Sequence, residues 1–582
     1  MKRKATVILA AAAVLASVAP AAAQRDGAWS VRERQGGTPI FRESRPPTLS
    51  GAYLAARLAG ALKDVDAAAD YYRRALQADP QNPYLIERAF LLALASGEVE
   101  QAAHLARRLI PLDKANRFAR LTLAVEAIRK GALGEARSQL QEGGKGPLVD
   151  LSATLLTAWM LAGENKADEA LAAIDALEGP EWYAIFKNYH ASLIVAWAGR
   201  TGEAEQRFRR AYEADRGALR IVEAYARFLA RQGRAEEAQK LLQDFGAAVP
   251  NHPVVTALQS MIANGLKPEP LVETVKDGAA EALYGLGAAL GQDGGEDLGS
   301  VYLALSLHLR PNQPLALLSL ADAFVKAKQD QKAISILERV PRESPLYRNA
   351  QIQRDLLLDL AGRTEEAIQQ LEILIEANQT DFDAITALGN ILRSHKRFAE
   401  AAAVYTRAID QIDRPEKRHW ALYYFRGMSY ERSNQWPKAE TDLKQALALM
   451  PDQALILNYL GYSWVDQGKN LDQGLELIKR AVELKSEDGY IVDSLGWAYY
   501  RLGRYDDAVR ELEKAVDLKP EDPVINDHLG DAYWTVGRRL EAQFQWTHAR
   551  DLKPEPDDLA KIEEKLKHGL KAPERRNAAD AR

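Results

Sequence analysis

Apolar residues recur along most of the chain with the three-to-four-residue period of an amphipathic α-helix. No segment shows the strict apolar–polar alternation that is typical of a β-strand. The composition agrees, since Ala, Leu, Glu and Arg are abundant and all four are favourable in helices. The pattern therefore predicts an all-α protein.

Small residues add a second, longer period, which is clearest in the last third of the chain. Three sets recur every 34 or 35 residues: Gly427, Gly461, Gly496 and Gly530; Ala439, Gly474, Ala508 and Ala542; Ala446, Ala481, Ala515 and Ala549. Where two helices cross closely, only Gly or Ala lets their backbones approach. A period of about 34 residues with small residues at fixed places predicts stacked helix–turn–helix units.

Segments 489–522 and 523–556 resemble the tetratricopeptide repeat in detail. Each has a Leu-Gly pair, an aromatic residue three positions later, a turn glycine, two alanines and a closing proline. The aromatic residue expected early in the first helix is missing, and Val492 and Asn526 stand there instead. The resemblance extends with weaker motifs over residues 49–556. It implies a right-handed superhelical solenoid of about fourteen helix–turn–helix units.

Breaks in this period divide the chain into predicted segments. They are a signal peptide at 1–23, a flexible leader at 24–48, a degenerate N-terminal array at 49–252, an irregular hinge at 253–279, a C-terminal array at 280–556 with its strongest repeats at 420–556, and a capping helix with a disordered tail at 557–582. The hinge rests on the sequences PNHP and GLKPEP. The capping helix rests on Leu559, Ile562, Leu566 and Leu570, which share one helical face.

The first residues have the form of a secretory signal. Lys2, Arg3 and Lys4 precede a short apolar run, and three alanines ending at Ala23 offer a cleavage site. The whole chain contains no cysteine, so it has no disulfide and no lipid-modified cysteine. We expect a periplasmic protein that is cleaved near Ala23, is not a lipoprotein and keeps no integral membrane segment.

Charge and motifs exclude several function classes. The formal net charge is −5, without the basic surface that a nucleic-acid-binding protein needs. No zinc-peptidase helix, serine nucleophile motif or phosphate-binding loop occurs. Gly285, Gly287 and Gly291 lie on a helical pattern with no strand before them, so we interpret them as packing residues. The sequence predicts a non-catalytic protein with no cofactor and no metal site.

In tetratricopeptide repeats the first helix of each pair lines a concave groove, and the resemblance implies the same here. The residues opposite the packing face of these helices are Tyr424, Met428, Arg432, Asn458, Tyr462, Asp466, Tyr490, Asp493, Trp497, Tyr500, Arg501, Asp527, Asp531 and Trp534. Aromatic anchors beside amide and carboxylate groups are typical of a protein- or peptide-binding groove. The competing interpretation is that these aromatic residues pack between neighbouring repeats.

A narrower resemblance covers residues 457–546. This run is similar to the C-terminal repeats of a bacterial envelope adaptor family that partners a carboxyl-terminal processing protease in the periplasm; that adaptor carries a lipid-modified cysteine, which this chain lacks. The resemblance implies a scaffold for other proteins or peptides, with a periplasmic protease among them. Two alternatives stay open: a scaffold for outer-membrane or exopolysaccharide export machinery, and a glycan-binding protein that uses groove tryptophans. Self-association also stays open.

Overall fold

The computed structural model describes residues 48–61, 64–292 and 295–570. The predicted signal peptide lies outside these residues, as do the leader up to residue 47 and the tail from residue 571. The described residues form thirty α-helices and a short 3-10 turn at Lys417–His419, without any strand. The predicted all-α class is therefore confirmed, and consecutive helices form helix–turn–helix pairs.

Contacts divide the chain into two units, Met1–Ala367 and Ile368–Arg582, which are described separately. The helices of the first unit are α1 Leu49–Ala61, α2 Val65–Ala78, α3 Pro83–Ala95, α4 Val99–Leu109, α5 Arg117–Lys130, α6 Leu133–Gln141, α7 Pro147–Gly163, α8 Ala167–Ala176, α9 Tyr183–Trp197, α10 Thr201–Ala214, α11 Leu219–Arg231, α12 Ala235–Ala248, α13 Pro253–Ala263, α14 Val275–Gln292, α15 Glu296–Leu309, α16 Pro314–Lys326, α17 Asp330–Leu337 and α18 Tyr347–Leu360. The helix α19 Thr364–Ala377 spans the division.

The helices of the second unit are α20 Phe382–Ser394, α21 Phe398–Ile409, α22 Trp420–Arg432, α23 Trp436–Leu449, α24 Ala454–Asp466, α25 Leu471–Leu484, α26 Gly489–Arg501, α27 Tyr505–Leu518, α28 Pro523–Thr535, α29 Arg539–Asp551 and α30 Pro556–His568. The ends of these helices follow from local chemistry. Asp522 caps α28 by accepting hydrogen bonds from the backbone amides of Val524 and Ile525, at 2.9 and 3.1 Å. Gly503 ends the turn after α26 with φ +76°, a left-handed conformation that suits glycine.

The periodic small residues are the points where two paired helices touch. In the pair α24–α25, a Cβ added to Gly461 would lie 2.7 Å from the carbonyl oxygen of Gly474. A Cβ added to Gly496 would lie 2.5 Å from Cγ of Leu512 on the paired helix. The small-residue periodicity thus marks close packing between paired helices, as the sequence pattern predicts.

In the first unit, the helices after α13 fold back onto the array that precedes them. The hairpin formed by α14 and α15 packs against α3, α5, α7 and α9, which are first helices of their pairs. Gly287 of α14 and Gly299 of α15 let the two hairpin helices approach, since a Cβ on Gly287 would lie 3.0 Å from the Gly299 carbonyl oxygen. The face of the N-terminal array formed by its first helices is therefore occupied by a segment of the same chain.

In the second unit, one continuous apolar cluster runs through the last repeats and ends under α30. Its members include Leu495, Leu512, Leu529 and Trp546, and Ile562 of α30 is buried in it. Leu566 and Leu570 pack against the same cluster from outside. The last helix thus covers the apolar surface that the final pair, α28 and α29, would otherwise leave uncovered.

Candidate functional site

The fourteen predicted groove residues differ widely in exposure. Arg432, Asp466, Tyr490 and Arg501 are exposed. Tyr424, Asp493 and Asp531 are buried, and the remaining seven are half-buried: Met428, Asn458, Tyr462, Trp497, Tyr500, Asp527 and Trp534. The exposed members come from α22, α24 and α26, so the accessible part of the predicted surface lies on these three helices.

Trp497 lies in a stack of rings that joins α26 to α28. Its indole is parallel to the His528 imidazole, with ring centroids 4.1 Å apart, and to the Tyr500 ring at 4.9 Å. His528 Nδ1 is 2.9 Å from the Asp493 carboxylate. Burial alone would lower the pKa of His528, but the Asp493 charge and hydrogen bond raise it above its ordinary value. Here the aromatic residue packs between neighbouring repeats, as the competing interpretation expected.

Two aspartates on α28 hold a lysine of the last helix. Lys565 Nζ lies 2.7 Å from Asp527 Oδ2 and 2.8 Å from Asp531 Oδ1. Asp531 Oδ1 also accepts a hydrogen bond of 2.9 Å from the Trp546 indole. Trp534 contacts the residues that follow α30, since its Nε1 donates a hydrogen bond to the Leu570 carbonyl oxygen at 3.2 Å. The α28 part of the predicted groove is therefore covered by α30.

Two polar atoms on α24 and α26 lack a partner among the described residues. They are Asn458 Oδ1 and Trp497 Nε1, and both are shielded from solvent. Buried polar atoms are nearly always hydrogen-bonded, so an unpaired acceptor and an unpaired donor on adjacent first helices are unusual. Burial, with the nearby charges of Asp493 and Asp466, also raises the pKa of Tyr462 well above its ordinary value. This part of the surface is polar and incompletely satisfied.

The groove residues occupy the second, fifth, ninth, twelfth and thirteenth places of their repeats. In the N-terminal array, residues at the same repeat positions contact the chain segment that folds back. In the repeat 185–218, Phe186 lies under Gly285 of α14, and Tyr189 Oη donates to Glu281 Oε1 at 2.8 Å. The repeat positions that the sequence period assigns to the groove are thus the positions that contact another segment of the chain in the first unit.

In the next repeat, 219–252, residues at three of these positions also donate hydrogen bonds to the segment that folds back. Arg220 donates to both oxygens of Glu281 at 2.9 and 2.6 Å. Arg227 donates to the Glu269 carbonyl oxygen at 3.0 Å, and Arg231 to that of Pro268 at 3.2 Å.

Glu281 is the central polar residue of this contact, although only 1% of it is exposed. Burial would raise the pKa of Glu281, but the charge and hydrogen bonds of Arg220 and the hydrogen bond of Tyr189 keep it below the ordinary value. The charge of Glu281, followed by that of Glu223, in turn outweighs burial and raises the pKa of Arg220. The hairpin is therefore held by a charged, hydrogen-bonded centre as well as by apolar packing.

Sequence reasoning did not find this contact. The run containing Gly285 and Gly287 was correctly interpreted as packing residues, but their partner was not identified. The only signal was that an acidic residue, Glu281, stands inside a small-residue helix that is otherwise suited to close packing. A charge at such a position indicates a buried cation elsewhere in the chain.

Comparison with protein-family models gives matches along the chain, all described as tetratricopeptide repeat or TPR repeat. The matched residues are 42–83, 198–262, 315–347, 358–415, 420–453 and 496–537. The chain is a tetratricopeptide-repeat protein. Tetratricopeptide-repeat proteins are typically non-catalytic scaffolds that bind other proteins. The described part of this one contains no group of three or more His, Asp or Glu side chains arranged to hold a metal ion.

Curated relatives match over short stretches. A TPR repeat-containing protein of Pseudomonas aeruginosa is 35% identical over 162 residues, which is 28% of this chain and 26% of that protein. A lipoprotein NlpI homolog of Haemophilus influenzae is 36% identical over 86 residues, 15% of this chain and 27% of that protein. The matches thus span about a quarter of the length of these relatives.

This chain matches two solved structures over nearly the whole length of their chains. The APC/C hetero-tetramer Cut9-Hcn1 contains a chain that is 14% identical with a TM-score of 0.37, and the match covers 90% of this chain and 96% of that chain. YrrB, a TPR protein with an unusual peptide-binding site, is 21% identical with a TM-score of 0.26, over 33% and 97%. At this similarity no functional conclusion follows.

Among the described residues, no helix combines the length and the apolar character needed to cross a bilayer.

Proposed function

We propose that this tetratricopeptide-repeat protein is an envelope adaptor whose C-terminal groove, on α22, α24 and α26, binds a partner protein. The observation that carries the proposal is the behaviour of equivalent places in the first unit. There Phe186, Tyr189 and Arg220 bind a folded segment of the same chain. In the second unit the equivalent places of α22, α24 and α26 include exposed side chains and unpaired polar atoms.

The finer proposal is that the protein acts in the periplasm and recruits substrates to a carboxyl-terminal processing protease. Its support is the signal-like sequence at 1–23 and the resemblance of 457–546 to an envelope adaptor family. An adaptor of this kind raises rate by effective concentration and orientation, not by chemistry of its own.

The test is affinity purification of the tagged chain from its native envelope, followed by mass spectrometry. A groove variant combines Arg432→Glu, Asp466→Lys and Tyr490→Ala, all at exposed positions, so that the fold is preserved. A matched control combines Arg480→Glu, Glu483→Lys and Phe544→Ala on second helices, where these side chains are also exposed.

We expect a protein partner that the wild type and the control retain and that the groove variant loses. Recovery of a processing protease in that set would support the finer proposal. Equal partners in all three samples would refute the groove, and recovery of export components alone would favour the export scaffold.

A further inference from the structure

The helix α30 is held on the C-terminal array by few buried side chains. Ile562 is its one buried residue, and Leu559, Lys565 and Leu566 are half-buried. The other segment that covers first helices, α14, is buried far more deeply. Its residues that are at most 1% exposed are Ala279, Ala280, Glu281, Ala282, Leu283, Tyr284 and Leu286. Because an element with little buried surface separates at a low cost in free energy, α30 can leave its surface while α14 stays in place.

The surface under α30 is specific for the chemistry of this helix. Lys565 Nζ lies 2.7 Å from Asp527 Oδ2 and 2.8 Å from Asp531 Oδ1. One turn before Lys565, Ile562 is buried in the apolar cluster that ends the array. Without α30, two carboxylates one turn apart on α28 would lack their cation. The uncovered surface thus needs an apolar side chain and, three residues later, a cation, and the sequence of α30 supplies both.

The link between α29 and α30, residues 552–555, contains an unfavourable turn. Lys553 has φ +59°, a left-handed conformation that residues with a Cβ rarely adopt. Pro554 follows, and a proline favours an extended conformation in the residue before it. Lys553 is the only non-glycine residue with positive φ in the described chain that precedes a proline. Short links under strain favour the exchange of an element between copies of a chain.

The same sequence, Leu-Lys-Pro-Glu, occurs one repeat earlier at residues 518–521. There Lys519 has φ −141°, and the chain continues into α28 of the next repeat. At residues 552–555 the left-handed Lys553 instead turns the chain back, so that α30 covers α28 of its own pair. An open link therefore needs only the conformation that this sequence already has in the preceding repeat.

We propose that α30 is exchanged between two copies of this chain, so that Lys565 of each copy lies between Asp527 and Asp531 of the other. The exchange opens the link at Lys553 and keeps every contact of α30, because the same residues meet in the exchanged pair. Two reciprocal exchanges close the assembly as a two-fold dimer. Each copy then supplies the helix that completes the α28 end of the other copy's groove. The dimer goes beyond the proposed function and requires no other protein.

The test exchanges charges between two full-length chains. The first chain carries Lys565→Glu. The second carries Asp527→Lys with Asp531→Asn, whose side-chain oxygen can still accept the hydrogen bond of the Trp546 indole. Alone, each chain brings like charges together under its own α30. In an equimolar mixture, each α30 meets an opposite charge only on the other chain.

We expect the mixture to form a dimer with one chain of each kind, and each chain alone to stay monomeric, in native mass spectrometry. A chain with all three changes is the matched control, since it restores opposite charges within one copy. The wild type and this control should both show a dimer fraction that rises with concentration. The dimer should be lost in Lys565→Glu.

Three results would overturn the inference. One is a mixture that stays monomeric although the control chain protects the amides of 556–568 from hydrogen exchange as the wild type does. Another is a wild-type chain that stays monomeric up to its limit of solubility, which is decisive even if a variant fails to fold. The third is a wild-type dimer that Lys565→Glu leaves intact, because that dimer would use another surface.

Discussion

The imidazole of His528 is parallel to the indole of Trp497, with ring centroids 4.1 Å apart, while its Nδ1 lies 2.9 Å from Asp493. One histidine therefore joins two repeats by stacking and by charge. Because the pKa of His528 is raised by Asp493, the folded state binds this proton more tightly than the unfolded chain does. The stabilisation is complete below an unfolded pKa of about 6.5 and is lost as the pH rises through the folded value.

We therefore expect His528→Gln to cost the second unit more stability at pH 6 than at pH 8.5. The difference should be about 1.5–3 kcal/mol, the range for hydrogen bonds to charged groups. Urea unfolding at both pH values measures it. His568→Gln, at the exposed end of α30, serves as the control and should show no such difference. An equal loss at both pH values would mean that Asp493 does not hold a charged His528.

Gly278 tests the seating of α14 on the N-terminal array. Gly278→Ala places a methyl group against the Trp159 ring, so we expect a loss of about 1–3 kcal/mol in unfolding free energy from overpacking. Gly246→Ala is the matched control in the same unit, because nothing lies within 4 Å of its Cβ position. The control should gain about 0.4–1 kcal/mol through reduced unfolded-state entropy. Calorimetry of both variants decides, and a neutral Gly278→Ala would contradict the close contact.

Glu281 tests the charged centre of the same contact. Glu281→Gln keeps the shape but leaves buried Arg220 with Glu223 as its remaining carboxylate, at 2.6 Å. We expect a loss of about 3 kcal/mol, the lower end for a broken buried pair. Glu269→Gln changes an exposed carboxylate near Arg231 and should stay within about 0.5 kcal/mol of wild type. Equal midpoints for the two variants in guanidinium would show that the Glu281 charge contributes nothing.

Lys565 tests how α30 is held. Lys565→Glu brings a third carboxylate to Asp527 and Asp531, so α30 should detach and its amides should exchange at least ~10-fold faster. Lys561→Glu is the control on the same helix, because Lys561 is exposed and pairs only with Asp558 among the described contacts. Hydrogen exchange with mass spectrometry over 556–568 measures both. Unchanged protection in Lys565→Glu would show that apolar packing alone retains the helix.

The close contacts within helix pairs and the positions of the repeats could be predicted from the sequence. Each depends on one kind of residue recurring at a regular spacing. The repeat period predicts that Gly461 and Gly496 lie where two paired helices come close together. The structure shows these close contacts. The α30 face with Ile562 and Leu566 was visible from its helical period. Such features either repeat along the chain or depend on residues close together in sequence, so they can be recognised from the sequence alone.

The fold-back of α14 and α15 could not be predicted, because nothing in the 34-residue period specifies it. Its contacts join residues far apart in sequence, such as Glu281 with Arg220. The exposure of groove residues was also not predictable for the same reason. Trp497 and Tyr490 lie on one helix, yet Trp497 is half-buried under His528 while Tyr490 is exposed. The neighbouring repeat decides which of the two is accessible.

The returning hairpin changes how the first unit must fold. In a simple repeat array each unit touches only its neighbours, so folding can start anywhere and spread. Here His308 lies 2.7 Å from Glu126 across 182 residues of sequence, and Lys332 reaches Ser96 across 236. The distant segments must be brought together before these contacts can form, and the entropy cost of closing such long loops slows folding. The first unit should therefore fold more slowly than a simple repeat array, and during synthesis its long-range contacts stay incomplete until α17, which carries Lys332, has left the ribosome.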